Sequence, residues 1–348
     1  MTDIIKDKQI KKISASEILD KISASKKMLI ISHSAPDGDT LGSAAALAYL
    51  AESIGTEVTC AVPDEIPHRL EFTAYTRTVS SKEAEASAKN GEFDLICSVD
   101  VASPSQLSSL ACLIPYIDFM IDHHSSGEPY TDYLIDSSAS AAGEIIFSLY
   151  RSAEERGLTG RDARIARGIY TAVVSDTGSF KYSNVTPETH TIAASLVNEI
   201  NSADDGGATT EELCRSLFGK RTMRDLQAQA LAIKNLKVYE DGKIGVVLLS
   251  TEDMALAGLE SRDLGAAVET PRSLEGVMIA LSIKQNRDAP TTFKISSRSN
   301  CNADVSAVCA RFGGGGHVKA AGCSITADSP DEAVNIAVSA FAEAIPKE

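Results

Sequence analysis

Residues 28–39 read MLIISHSAPDGD, and residues 40–55 continue TLGSAAALAYLAESIG. MLIISH (28–33) is a short unbroken apolar run, the pattern of a strand buried on both faces. GSAAALAYLAESIG (42–55) reads as a helix of small residues that stops at Gly55. Between them Pro36 and Gly38 fix a turn that carries His33, Asp37 and Asp39. A strand that delivers polar side chains at its carboxyl end and then feeds a helix is the unit of a doubly wound α/β domain.

The same pattern recurs outward along the chain. EVTCAV (57–62), DLICSV (94–99) and FMID (119–122) are further short apolar runs, separated by helical stretches at 81–89 and 139–156. Strand and helix alternate to about residue 195, which predicts a doubly wound, mainly parallel sheet. Ligands in such folds collect outside the carboxyl ends of the strands, where His33, Asp100 and Asp122 fall. INSADDGGATTEELC (200–214) is polar, acidic and glycine-paired, so residues 200–220 are assigned as a linker between domains at 1–199 and 221–348. In the second domain RTMRDLQAQALAIKNLKV (221–238) reads as a helix running towards a strand. KIGVVLLS, EGVMIALSIK and TTFKISSRS read as strands, with a helix at DVSAVCARF and a closing helix near 330–345. That mixture predicts a smaller α+β domain.

Composition narrows the function. The 348 residues carry seven cysteines, an odd number with no CxxC pair, which fits reduced core thiols rather than a disulfide frame. MTDIIKDKQIKK (1–12) is charged and holds no apolar leader run, and no stretch approaches the roughly 18 apolar residues of a membrane span. A soluble cytoplasmic protein is expected. Net charge is −15, and residues 1–215 carry 18 Lys and Arg against 32 Asp and Glu. Such a surface is a poor sheath for duplex nucleic acid, whose binding needs many cations on phosphates. Residues 284–319 differ, holding Lys284, Arg287, Lys294, Arg298, Arg311 and Lys319 against only Asp288 and Asp304. A small anionic ligand fits this distribution, and a homodimer is left open.

The chemistry lies at the ends of the apolar runs. His33, Asp37 and Asp39 come from the first loop, Asp100 closes LICSVD, Asp122-His123-His124 follows FMI, and Asp176 lies in VVSDTGSF. Any one of these is ordinarily a turn or capping residue. Four of the six histidines sit at such ends (33, 123, 124 and 317), a concentration that independent caps do not explain. Imidazoles and carboxylates gathered at one sheet edge suit two divalent ions, Mn²⁺ foremost with Mg²⁺, Co²⁺ or Fe²⁺ open. Two ions about 3.5–4 Å apart hold a bridging hydroxide and draw charge from a phosphoryl group. Asp100 is placed to bridge them, with His123 and Asp176 completing the ligands of the second ion. In the other domain, Gly313 to Gly316 before His317 let backbone amides approach an anion.

The order HSAPDGD, SVD, DHH and SDTG closely resembles the DHH phosphoesterases, and FGGGGHVKAAG with SSRS resembles their DHH-associated C-terminal domain. The likeness spans roughly residues 15–345 and, at this two-domain length, is greatest to the nanoRNase and pAp phosphatase group. It implies His33, Asp37 and Asp100 on one Mn²⁺, and Asp39, Asp100, His123 and Asp176 on the other. It implies that His124 faces the phosphate and that Asp122 orients the histidines. It also implies a nucleotide-holding surface built from Arg298, Gly314, Gly315, Gly316 and His317, with Lys319 and Arg311 weaker candidates. The expected activity is hydrolysis of short RNA or DNA oligonucleotides, linear dinucleotides and 3′-phosphoadenosine 5′-phosphate, in a cleft between the domains. The rivals are a cyclic-dinucleotide phosphodiesterase, a longer single-strand exonuclease, a family II-type pyrophosphatase and a non-catalytic nucleotide sensor. Lys181 and Tyr182 follow Asp176 closely enough to line the cleft. Arg262 and Arg272 are open as further cleft residues, though nothing local separates them from ordinary surface charge, and His68 and His190 read as structural.

Overall fold

The computed structural model describes residues 10–124 and 127–346, so most of the charged N-terminal stretch considered above (residues 1–9) lies outside the described residues. The chain divides into two compact units, residues 1–220 and 221–348. Strands β1 (Lys27–Ile31), β2 (Glu57–Ala61), β3 (Thr78–Val79), β4 (Leu95–Val99), β5 (Phe119–Asp122) and β6 (Asp132–Ile135) make the sheet of the first unit. They pair in parallel, in the order β3-β2-β1-β4-β5-β6. The direction of winding reverses between β1 and β4, which opens a crevice at their carboxyl ends.

The helices of this unit are α1 (Ala15–Ala24), α2 (Gly38–Ile54), α3 (Ser81–Lys89), α4 (Ala142–Glu155), α5 (Ala163–Asp176), α6 (Pro187–Asn201) and α7 (Thr210–Cys214). β1 shows why the sheet is covered on both sides. Met28 and Ile30 belong to the core that contains α2 and α5, Leu29 and Ile31 to the core that contains α3 and residues 104–116. All four are fully buried, and each contributes about 1.5–3 kcal/mol of transfer free energy. α2 and α5 approach so closely that a Cβ at Gly42 would lie 2.6 Å from the carbonyl oxygen of Gly168. That approach accounts for the small-residue composition of α2.

Three features depart from the sequence reading. α2 starts at Gly38 rather than after the turn, so Asp39 lies in its first turn and Asp37 is its N-cap. Strand–helix alternation ends at β6, and α4, α5 and α6 follow in succession. In α5, Ile165, Ile169 and Val173 recur at helical spacing and are all fully buried, so VVSD ends a helix and not a strand. Within residues 200–220, Thr210–Cys214 and Arg215–Gly219 are helical, and Leu213 and Leu217 join the core of the first unit.

The second unit contains β7 (Leu236–Tyr239), β8 (Ile244–Leu249), β9 (Ile279–Gln285), β10 (Thr292–Ser299), β11 (Gly315–His317) and β12 (Ala320–Thr326). Its sheet runs β11-β12-β10-β9-β8-β7, antiparallel except for β8 with β9. Its helices are α8 (Met223–Lys234), α9 (Thr251–Leu256), α10 (Glu269–Arg272), α11 (Val305–Ala310) and α12 (Pro330–Ala342). One face buries Ile279, Leu281 and Ile283, with Phe293 and Ile295, under α11 and α12. The other face is covered by α8 and residues 261–268 over β8, where Val247 and Leu249 meet Leu231 and Leu264. Beyond β9 that face lies open, with Lys294 and Ser324 exposed. The whole is an α/β doubly wound unit followed by an α+β unit.

Candidate metal and phosphoester site

The site forms where β1, β4 and β5 end and α2 begins. Asp37 caps α2, its Oδ1 accepting from the amides of Asp39 and Thr40 at 3.0 Å each. Its charge sits at the positive end of the helix, where a carboxylate is favoured. Asp39 is 1% exposed, and its Oδ2 accepts from the amide of Ala142 at 2.7 Å. Its Oδ1 accepts from Ser43 Oγ at 2.8 Å and from the amide of Gly143 at 3.1 Å. α4 has no capping side chain of its own, so Asp39 caps it from a distant part of the unit's sequence. Each carboxylate oxygen has two lone pairs, and these bonds leave capacity for an ion.

Asp100 follows β4 with a φ of 59°, a left-handed conformation costly for a non-glycine residue. Its Oδ2 accepts from Thr40 Oγ1 at 2.7 Å and lies 3.4 Å from His33 Nε2. Its Oδ1 is buried with no hydrogen-bond partner, 3.7 Å from His123 Nε2 and 3.6 Å from His124 Nδ1. His123 Nε2 also lies 3.5 Å from Asp39 Oδ2 and 3.9 Å from Asp176 Oδ2. Asp122, fully buried at the end of β5, accepts from the His123 amide at 2.9 Å and bonds His124 Nδ1 at 2.8 Å. Three groups have ligand atoms within 4.8 Å of one another: His33 with Asp37 and Asp100, Asp39 with His123 and Asp176, and Asp100 with His123 and His124.

The electrostatics of the protein alone are strained. Burial, then the charges of Asp100, Asp176 and Asp37, push the Asp39 carboxyl well up. Burial and the other carboxylates likewise lift Asp176 to about 6, against the pull of His123 and His124. Burial opposes ionisation of Asp100, yet the His33 hydrogen bond and the charges of His33, His123 and His124 hold it low. Burial would lower His33, but its bond and charge interaction with Asp100 raise it to about 9. Burial likewise works against His124, and Asp122 and Asp100 raise it. Protons on imidazoles are thus what offsets the clustered carboxylates here. The donor set and the orphaned Asp100 oxygen fit a divalent cation in the protons' stead.

In the second unit, Arg298 on β10 pairs in register with Ala320 on β12, which pairs with His317 on β11. Directly opposed residues share a face, so Arg298 and His317 flank the small Ala320 on the open side of the sheet. Arg298 Nε lies 3.3 Å from Glu269 Oε1, and its Nη1 donates to the Ser297 carbonyl at 3.0 Å. Gly316 has a φ of 142°, and a Cβ there would meet Ala320 O at 2.5 Å. A Cβ at Gly314 would collide with the Gly322 carbonyl, whereas Gly315 faces open space. Lys319 donates its ammonium to the Cys301 carbonyl. Arg262, Arg272 and Arg311 are paired with Glu260, Glu269 and Glu343. Lys181 is exposed, Tyr182 packs over Gly178, His68 pairs with Glu71 and His190 stacks on Phe180.

Residues 27–174 match the profile described as DHH family, N-terminal domain, and residues 246–345 match the DHHA1 domain. The chain is a DHH–DHHA1 protein. It is 26% identical over 310 residues to the probable bifunctional oligoribonuclease and PAP phosphatase NrnA of Streptococcus mutans, covering 88% of this chain and 92% of that one. It is 27% identical to the bifunctional oligoribonuclease and PAP phosphatase NrnA of Thermus thermophilus, covering 90% of this chain and 89% of the relative. A crystal structure of an exopolyphosphatase-related protein from Bacteroides fragilis shares the fold, with a TM-score of 0.83 at 23% identity over 94% of this chain and 95% of that chain. Among the described residues no helix is long and apolar enough to cross a membrane.

Two residues of the DHH domain site escaped the sequence reading. Thr40 Oγ1 lies 2.5 Å from His33 Nε2 and 3.0 Å from Asp37 Oδ1 as well as bonding Asp100, so one hydroxyl ties three candidate ligand side chains together. Asn184 Nδ2 donates to Asp176 Oδ2 at 3.2 Å and to the Ser140 carbonyl at 2.9 Å. The proximity of Thr40 to Asp39 was the only signal for the first, and nothing in the sequence marked the second.

Proposed function

We propose that this DHH phosphoesterase hydrolyses short oligonucleotides, including linear dinucleotides such as pApA and pGpG, and dephosphorylates 3′-phosphoadenosine 5′-phosphate. The observation that carries the reading is the buried, unpartnered Asp100 Oδ1, set among two imidazoles and between two further groups of candidate ligands. His33, Asp37 and Asp100 would hold one divalent ion, and Asp39, Asp100, His123 and Asp176 a second, with Mn²⁺ the preferred metal. Bound there, the ions supply Lewis-acid activation of water and stabilise charge on the phosphoryl oxygens.

The remaining steps belong to the chain. Asp122 accepts from His124 Nδ1 and fixes the ring, so the proton given to the leaving oxygen comes from Nε2. Thr40 and Asn184 hold the ligand side chains in place before an ion arrives. Arg298, His317 and the amides of Gly314–Gly316 hold the nucleotide, and their cations suit the phosphate groups of a short anionic strand. The substrate class is supported by the names of the NrnA relatives, which are matched over nearly their whole length.

The test is a time course with Mn²⁺ on a 5′-labelled dinucleotide, a pentamer, a 24-mer and 3′-phosphoadenosine 5′-phosphate. The proposal expects fast turnover of the short species and slow attack on the 24-mer. Preference for the 24-mer would make the protein a longer-strand exonuclease. Turnover of none of them, with metal bound, would overturn the reading in favour of a cyclic dinucleotide substrate or a sensor.

A further inference from the structure

The border between β9 and the open strand β10 of the DHHA1 sheet holds a second group of cations that the site above does not use. Lys284 on β9 stands directly opposite Lys294 on β10, and Ser282 stands opposite Ser296 two residues along. These four share the face that carries Arg298, because residues at even spacing on one strand point the same way. Lys284 is only 7% exposed, and its ammonium reaches one acceptor, the Ser261 carbonyl at a long 3.5 Å. Among the described residues neither lysine is paired with a carboxylate. Ser282 is 1% exposed, and its Oγ is buried with no hydrogen-bond partner.

Each of these features is unfavourable in the protein alone. Like charges directly opposite on neighbouring strands repel. A nearly buried ammonium without a counter-ion loses hydration that nothing replaces, and both burial and Lys294 lower the pKa of Lys284. A buried hydroxyl without a partner forfeits a hydrogen bond. One ligand removes all three costs at once, namely an anion with several acceptor oxygens. The floor beside it is small, with Gly322 and Ser324 on β12 opposite Ser296 and Lys294.

We propose that Lys284, Lys294, Ser282 and Ser296 form a phosphate subsite where the covered strand β9 of the DHHA1 sheet meets the open strand β10. The anion site stands on this local geometry, and only the identity of its ligand, a nucleotide chain, rests on the function proposed above. Lys294 and Arg298 are four residues apart on β10, about 13 Å at about 3.4 Å per residue. The phosphate held by the lysines is therefore farther along the strand than the one held by Arg298 and His317. With its phosphate on Arg298 and His317, a dinucleotide leaves this subsite empty and a tetranucleotide reaches it, so the subsite grades substrates by length.

The experiment measures binding to the full-length protein with Mn²⁺, using phosphorothioate-linked di- and tetranucleotides that resist cleavage, and inorganic pyrophosphate as a second probe. The parent protein should bind the tetranucleotide about tenfold more tightly than the dinucleotide. In K294Q and in K284Q that ratio should collapse to about one. The slope of log affinity against log salt for the tetranucleotide should become shallower by about 0.7 for each lysine removed. K284M should in addition melt at a higher temperature than the parent in the absence of ligand, since it removes an unpaired buried charge, which shows that lost binding is not lost folding. A length ratio and a salt slope unchanged in folded K294Q and K284Q would overturn the subsite. Pyrophosphate binding that K294Q abolishes, in a protein that binds no oligonucleotide, would keep the anion site and overturn the nucleotide reading. No dependence on either lysine for either probe would overturn the subsite.

Discussion

The DHH unit buries Asp39, Asp100 and Asp122 at 1, 2 and 0% exposure around imidazoles, whereas the DHHA1 unit sets Lys284, Lys294 and Arg298 on one face of a sheet, the lysines without a carboxylate partner among the described residues. In the first, the excess charge is negative and enclosed, with protons on His33 and His124 as a provisional counter-charge. In the second, the excess is positive and opens to solvent at Lys294. The difference teaches that the two units await ligands of opposite sign. On the function proposed above, the first would take cations and the second an anion.

The contrast breaks most completely where a cation ligand is removed. His123→Ala should lower turnover of a dinucleotide by about 10³-fold or more, because the proposed second ion would lose a direct ligand and Asp39 and Asp176 lose their shared imidazole. Turnover within tenfold of the parent would place the chemistry elsewhere. Thr40→Val keeps the shape but removes the hydroxyl that joins His33, Asp37 and Asp100, and should weaken Mn²⁺ binding by about 10–100-fold. Thr40→Ser should restore most of it, and calorimetric titration would reveal whether it does. On the anion side, Arg298→Ala should raise KM about tenfold with little change in kcat, the signature of lost ground-state binding. A fall in kcat alone would assign Arg298 to the transition state instead.

The smallest effect sharpens the comparison by working through stability. Asp176 is held at about 6, above the 3.8 of an ordinary aspartate, so its ionised form opposes folding above about pH 6 and not below about pH 4. Asp176→Asn should therefore stabilise the metal-free protein at pH 8 and leave it unchanged at pH 4. The side chain keeps 31% exposure, which screens the effect to about 1 kcal/mol and a few degrees in Tm. A variant that melts lower than the parent at pH 8 would show that Asp176 is an ordinary structural contact.

What the sequence disclosed follows from where the information lies. The strands β1, β4 and β5 and the residues at their ends were legible because a buried parallel strand is a continuous apolar run that stops abruptly at a polar residue. α5 was less legible, since VVSD taken alone reads as strand, and only Ile165, Ile169 and Val173 together show the helical period. The amides of Ala142 and Gly143 that hold Asp39 were invisible, because a backbone amide carries no residue identity and lies over a hundred residues from its acceptor. Asn184 was missed for a related reason, as its role depends on Ser140 and Asp176 converging in space. In the DHHA1 unit the basic residues of 284–319 were visible as a count. That Lys284 faces Lys294 required the β9–β10 register.

The central claim is that Asp100 joins two divalent ions in the DHH unit. Its most direct test is the number of Mn²⁺ retained per chain after equilibrium dialysis, in the parent and in Asp100→Ala. Two per parent chain and at most one in the variant are expected, with dinucleotide cleavage lost. Two ions in both proteins, or none in the parent, would contradict it.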